Sequence, residues 1–307
     1  MTAAIGLAHV LIALTMPLLV IGLVNRTKSL WAGRKGPPVL QALWDLLRLL
    51  RKRPVYSAVA TPLFRAGAWV VLAASVLAAM ISPILGNVTP LQFSHDFIVF
   101  AYTLGLARLF LMLSAMDVGS SFEGMGAARE ASFTAFVEPA LFLLIGSASV
   151  ATGQTSFAGL IGHLHHTGSF PWLVVPTIVV LFMLLQAEAS RVPVDDPLTH
   201  LELTMVHEVM VLDHSGPELA AMQYASALKM AMYAGLIAAL VNPFDPLSAP
   251  TASVLASLIV IGVVALAVGC VESLVARLSM RRVPRYLMSA SLLAALCLGA
   301  AGWLARL

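Results

Sequence analysis

Apolar residues fall in eight long runs, at about 3–24, 66–85, 95–116, 134–153, 171–187, 222–241, 252–274 and 285–305. These match the roughly 20 residues that a helix needs to cross about 30 Å of hydrocarbon. The fourth and fifth runs contain Gly, Ser or Pro, which membrane helices tolerate because neighbouring helices satisfy the freed backbone groups. No stretch alternates with a period of two, so a barrel is not expected, and no internal repeat stands out. Segment 36–53, GPPVLQALWDLLRLLRKR, is of another kind. Leu40, Leu43, Leu47 and Leu50 recur at three- and four-residue spacing, while Arg48, Arg51 and Lys52 fall largely off that stripe. The pattern predicts an amphipathic helix that lies in the membrane interface or against a partner.

Composition supports a membrane protein. The chain of 307 residues is 60% hydrophobic and 11% charged, against about 25% charged in a soluble domain. The expectation is an all-α polytopic membrane protein: one membrane domain over 1–307, with about eight transmembrane helices and an amphipathic helix on the cytoplasmic side. The formal net charge of +3 does not argue for nucleic acid, because the positions of the charges account for it. The first connection, 25–65, holds Arg26, Lys28, Arg34, Lys35, Arg48, Arg51, Lys52, Arg53 and Arg65. The third holds Arg129, the fifth Arg191, and the seventh Arg277, Arg281 and Arg282. The even connections, near 86–94, 154–170 and 242–251, have no Lys or Arg. By the positive-inside rule the odd connections (about 25–65, 117–133, 188–221 and 275–284) face the cytoplasm and both termini lie outside. The N-terminus has no basic leader segment, so the first run reads as a retained span.

The ionisable residues outside the basic connection are concentrated. Segment 186–223 carries seven of the fifteen carboxylates: Glu188, Asp195, Asp196, Glu202, Glu208, Asp213 and Glu218. Glu188 follows directly on an apolar run, Arg191 stands within helical reach of it, and Pro193 and Pro197 bracket the pair Asp195 and Asp196. A solvated acidic loop is one reading of such a segment; groups that handle protons or ions at the mouth of the bundle are the other. Glu138, Arg108 and Glu272 add ionisable groups from three further spans, all in the cytoplasmic half. Structural pairs and a shared polar cavity opening inward both fit that distribution. Cys270 and Cys297 lie within apolar runs and read as packing residues. His163, His165 and His166 form a short outer cluster without carboxylate neighbours and read as polar rather than metal-binding. No phosphate-binding glycine loop and no nucleophile triad is present, so no catalytic residue is assigned.

These elements resemble a known family: the membrane subunit joining the peripheral and membrane arms of respiratory complex I, and the anchor subunit of membrane-bound nickel–iron hydrogenases. The complex I branch reads AExxRxPFDxPExExEL in the fifth connection, and this chain has AEASRVPVDDPLTHLEL. Glu188, Arg191, Pro193, Asp195, Pro197 and Glu202 match position by position. Arg129 and Glu138 keep the family's nine-residue spacing. Leu40, Gln41, Asp45, Arg48 and Lys52 resemble its amphipathic helix. The resemblance runs from the first connection to the seventh. The departures are His200, where complex I has a glutamate, and Val194, where it has phenylalanine. The stretch THLELTMVHEVM is similar to the hydrogenase branch, of the formate hydrogenlyase and hydrogenase-4 type.

That resemblance implies a non-catalytic subunit of a group 4 hydrogenase or formate hydrogenlyase-like complex in the cell inner membrane. It implies no cofactor in this chain, with nickel–iron and iron–sulfur centres in partner subunits. The implied partners are hydrogenase-like large and small subunits, an iron–sulfur subunit and antiporter-like membrane subunits, besides the bilayer. Docking is expected through Arg34, Lys35, Asp45, Arg48, Arg51, Lys52, His200, His207 and Glu208. A proton or ion path is expected through Glu138, Glu188, Glu202, Glu272, Asp195 and Asp196, with Arg108, Arg129 and Arg191 as charge partners. The alternative is the quinone-chamber subunit of a complex I-like dehydrogenase. A stand-alone ion transporter is disfavoured by the missing repeat and the large one-sided loops.

Overall fold

A computed structural model of the protein describes residues 2–167, 171–196 and 205–304. All regular structure among these residues is helical: α1 (Thr2–Trp31), α2 (Gln41–Leu50), α3 (Pro62–Ile81), α4 (Asp96–Asp117), α5 (Ser121–Thr152), α6 (Phe157–Thr167), α7 (Pro171–Glu188), α8 (His207–Met210), α9 (Gly216–Val241), α10 (Pro250–Leu274) and α11 (Val283–Leu304). Seven of the described helices, α1, α3, α4, α5, α9, α10 and α11, are long and apolar enough to cross a membrane, and α7 is a shorter apolar helix. The expected polytopic bundle with a separate amphipathic helix is therefore found.

Helix α9 is the axle. It packs against α1, α3, α7 and α10, and 19 of its 26 residues are buried, so it meets protein rather than lipid over most of its surface. Small residues permit this: a Cβ at Gly235 would stand 2.9 Å from Ile84. On one side α3 and α4 form an antiparallel pair. Pro62 opens α3, Thr61 caps it by accepting from the Leu63 amide at 3.2 Å, and Asp117 at the end of α4 accepts from the Thr61 amide and hydroxyl, both at 2.7 Å. On another side α5 packs along α11.

Two elements depart from the sequence-based boundaries. Segment 117–133 was expected as a connection, yet α5 begins at Ser121 and runs for 32 residues, about 48 Å at 1.5 Å per residue. Hydropathy detects the part of a helix that sits in hydrocarbon; the first turns of α5, with Glu123, Arg129 and Glu130, are too polar to register there. The second departure is α6 in the fourth connection. Phe157, Leu160 and Ile161 are spaced as one helical face and are buried in the bundle, which draws that stretch back onto the protein.

Candidate functional site

Arg108 lies in the C-terminal half of α4 and is buried. Its guanidinium contacts three carboxylates on two other helices. Nε lies 3.5 Å from Glu130 and Nη1 donates to Glu138 at 2.8 Å, both on α5, while Nη2 donates to Glu188 at the end of α7. The Lys229 ammonium of α9 lies 3.7 Å from the other oxygen of Glu188. Four helices thus meet at one charge cluster of three acids and two bases. Fully ionised, it carries one net negative charge, so one proton neutralises it.

Glu188 is the last residue of α7, and the chain then turns. Ser190 adopts a left-handed φ of 51°, and the Arg191 amide donates back to the Gln186 carbonyl at 2.8 Å. The turn sends Arg191 away from Glu188, so the helical pairing of those two is not made. Arg191 meets Glu272 of α10 at 3.4 Å, and Lys28 of α1 reaches the same carboxylate at 2.7 Å. Four residues further on, Asp195 pairs with Arg277 at 2.9 Å and accepts from the amides of Val206 and His207, both at 3.1 Å. Burial pushes the Asp195 carboxyl up from its ordinary value, against the pull of Arg277. Segment 188–196 therefore threads two charge clusters and a carboxylate anchor. A cavity of about 10 Å³ between Arg108, Glu130, Glu188, Ser190 and Asp195 has room for one water.

The expected path residues divide accordingly. Glu138 and Glu188 share Arg108, and Glu272 belongs to the neighbouring cluster. Asp196 is half-buried beside Asp195. Glu202 and His200 lie outside the described residues. Arg129 donates to the Met205 carbonyl at 2.8 Å, where it steadies the segment entering α8. Sequence reasoning assigns no role to Glu130 or Lys229 and reads Lys28 and Arg277 as markers of orientation. A signal was present for two of them. Lys229 interrupts an apolar helix, and Glu130 precedes Glu138 by two turns with Thr134 between.

The expected docking residues also divide. Arg34, Lys35, Arg48, Arg51 and Lys52 are exposed. Asp45, His207 and Glu208 instead line a cavity of about 350 Å³ between α1, α2 and α9, together with Arg191 and Tyr224. Among the described residues no group of three or more His, Cys, Asp or Glu is placed to hold a metal ion. A separate buried set joins α4 to the start of α9. His214 stacks on Phe64 with ring centroids 3.9 Å apart, its Nε2 lies 3.0 Å from the Ser114 hydroxyl, and its Nδ1 lies 3.9 Å from Glu218.

Comparison with known proteins sets this geometry in context. A family model described as NADH dehydrogenase matches residues 4–301. Hydrogenase-4 component C of Escherichia coli (strain K12) is 28% identical over 239 residues, which are 78% of this chain and 75% of that protein. Formate hydrogenlyase subunit 4 of the same organism is 26% identical over 296 residues, 93% of this chain and 94% of that one. A chain in the structure of the membrane-bound sulfane sulfur reductase, an archaeal respiratory membrane complex, superposes with a TM-score of 0.82 over 98% of this chain and 99% of its own, at 18% identity. At that identity the likeness is one of fold.

Proposed function

The chain belongs to the NADH dehydrogenase family, and from that premise we propose that it is the membrane anchor of a group 4 nickel–iron hydrogenase or formate hydrogenlyase-like complex. It carries the peripheral electron-transfer arm and links it to proton or sodium movement. Redox chemistry takes place at nickel–iron and iron–sulfur centres in partner subunits; this chain supplies the platform and the coupling charges. Its place is the cell inner membrane, with the basic first connection and segment 188–221 in the cytoplasm.

The observation that carries the coupling role is the cluster at Arg108. A buried ion pair that only braced two helices would need one acid and one base. Here three carboxylates share two cations, which leaves one proton's worth of capacity next to segment 188–196. Glu138 adds a second support. Its side chain is 43% exposed near the middle of α5, and a carboxylate facing hydrocarbon is costly. A membrane partner subunit over that face gives the carboxylate a polar neighbour and the proton an exit. A charge change in the arm, felt at segment 188–196, shifts the protonation of the cluster, and Glu138 passes the proton laterally.

Glu138→Gln keeps shape and hydrogen bonding but removes titration. The expected result in sealed vesicles is an assembled complex with ion movement, or turnover coupled to it, reduced about a hundredfold, the lower end of what a positioned acid–base group contributes. Unchanged turnover and unchanged ion movement would reduce the cluster to structural pairs. The second reading, a quinone-chamber subunit, is favoured by the 350 Å³ cavity beneath α2. Quinone-dependent oxidation by the purified complex that is lost in Tyr224→Trp, a cavity-filling change, supports that reading.

A further inference from the structure

The far side of α2 does not close against the bundle. Leu46 and Leu50 of α2, Trp69 and Leu72 of α3, and Pro217 and Ala221 of α9 line an open apolar groove of about 140 Å³. Trp44, Leu47 and Leu50 are themselves exposed, at 58%, 37% and 49%, so α2 rides at the rim of the bundle with apolar surface left over. Arg51, Lys52 and Arg53 follow at once. All three are exposed, and among the described residues none takes part in an ion pair.

The backbone of this basic triplet is pinned at the mouth of the groove. Gly216, the neighbour of Pro217, has a φ of +58°, and a Cβ there would stand 3.0 Å from the Lys52 carbonyl oxygen. Ser215 accepts from the Val55 amide at 2.8 Å and donates to the Val55 carbonyl at 3.2 Å. Glu218 is buried and accepts from the Tyr56 hydroxyl at 2.7 Å.

We propose that this groove binds one anionic phospholipid, with an acyl chain between α2, α3 and α9 and the phosphate among Arg51, Lys52 and Arg53. The two halves of the site ask for one amphiphile. A neighbouring membrane helix fills the slot but brings no anion to the cations. A free phosphate meets the cations and leaves the slot empty. An anionic lipid uses both, because basic residues at the membrane surface attract its headgroup while apolar area holds its tail. The binding is a property of this chain alone and does not depend on which soluble subunits it carries.

The test is native mass spectrometry of the full chain purified in detergent, titrated with phosphatidylglycerol or with phosphatidylcholine of the same acyl chains. The expected result is a single phosphatidylglycerol retained at least about tenfold more tightly than phosphatidylcholine. Replacing the triplet together, Arg51→Gln, Lys52→Gln and Arg53→Gln, brings phosphatidylglycerol down to the phosphatidylcholine level. Leu50→Asp, at an exposed position, weakens retention as well. Glycerol 1-phosphate in excess does not displace the lipid. Equal retention of the two lipids by the unaltered chain overturns the proposal, as does full retention by the triple variant or displacement by glycerol phosphate. The comparison of lipids on the unaltered chain needs no substitution, so a misfolded variant still leaves the question decided.

Discussion

At the scale of single residues, position along the chain reveals which groups are ionisable at depth but not which ones meet. Glu272 illustrates the stakes. Its side chain is fully buried between Lys28 and Arg191. Glu272→Ala leaves two cations without their anion, and breaking a buried pair this way costs about 3–5 kcal/mol. The expected outcome is a large fall in the thermal unfolding midpoint of the purified chain, with a smaller fall for Glu272→Gln. Glu188 was legible because it ends an apolar run, and Asp195 because of the prolines beside it. The pairing of Lys229 with Glu188 was not legible. It depends on how α9 is rotated about its axis relative to α7, and an apolar helix buried on most sides has no polar face from which to read that rotation.

At the scale of elements, α2 was visible in advance because its leucines and arginines separate at helical spacing. The early start of α5 was hidden by its own polarity. The junction between α8 and α9 carries a pH response. Burial pushes His214 down to about 4 from its ordinary 6.5. The unfolded chain therefore binds more protons than the folded one between these values, so folding stability rises with pH through that window. The stability is complete above about 6.5 and is lost progressively as pH falls towards 4. Glu218 near Nδ1 and Ser114 at Nε2 are the polar groups that face the ring. Hydrogen exchange of the amides of 211–218 is expected to speed up on acidification from pH 7 to 4.5, and His214→Gln is expected to flatten that dependence.

At the scale of the whole molecule, the proposed topology counts α7 as a span together with the seven long apolar helices, and so puts both termini on one side. A cysteine at exposed Ser248 is expected to react with an impermeant reagent in intact cells, and one at Lys35 only after permeabilisation; the reverse pattern inverts the map. Docking is tested away from the lipid groove. Arg34→Glu with Lys35→Glu reverses the field of the first connection, and the expected result is hydrogenase activity moving from the membrane to the soluble fraction. The burial of α9 bears, finally, on how the protein is made. A span with a lysine in its interior partitions poorly from the translocon when it stands alone. Its counter-charge Glu188 and three of its four flanking helices, α1, α3 and α7, precede it in the chain, and only α10 follows. During biogenesis, α9 enters a half-built bundle that already holds an acid waiting for Lys229, so the order of synthesis is itself a condition for insertion.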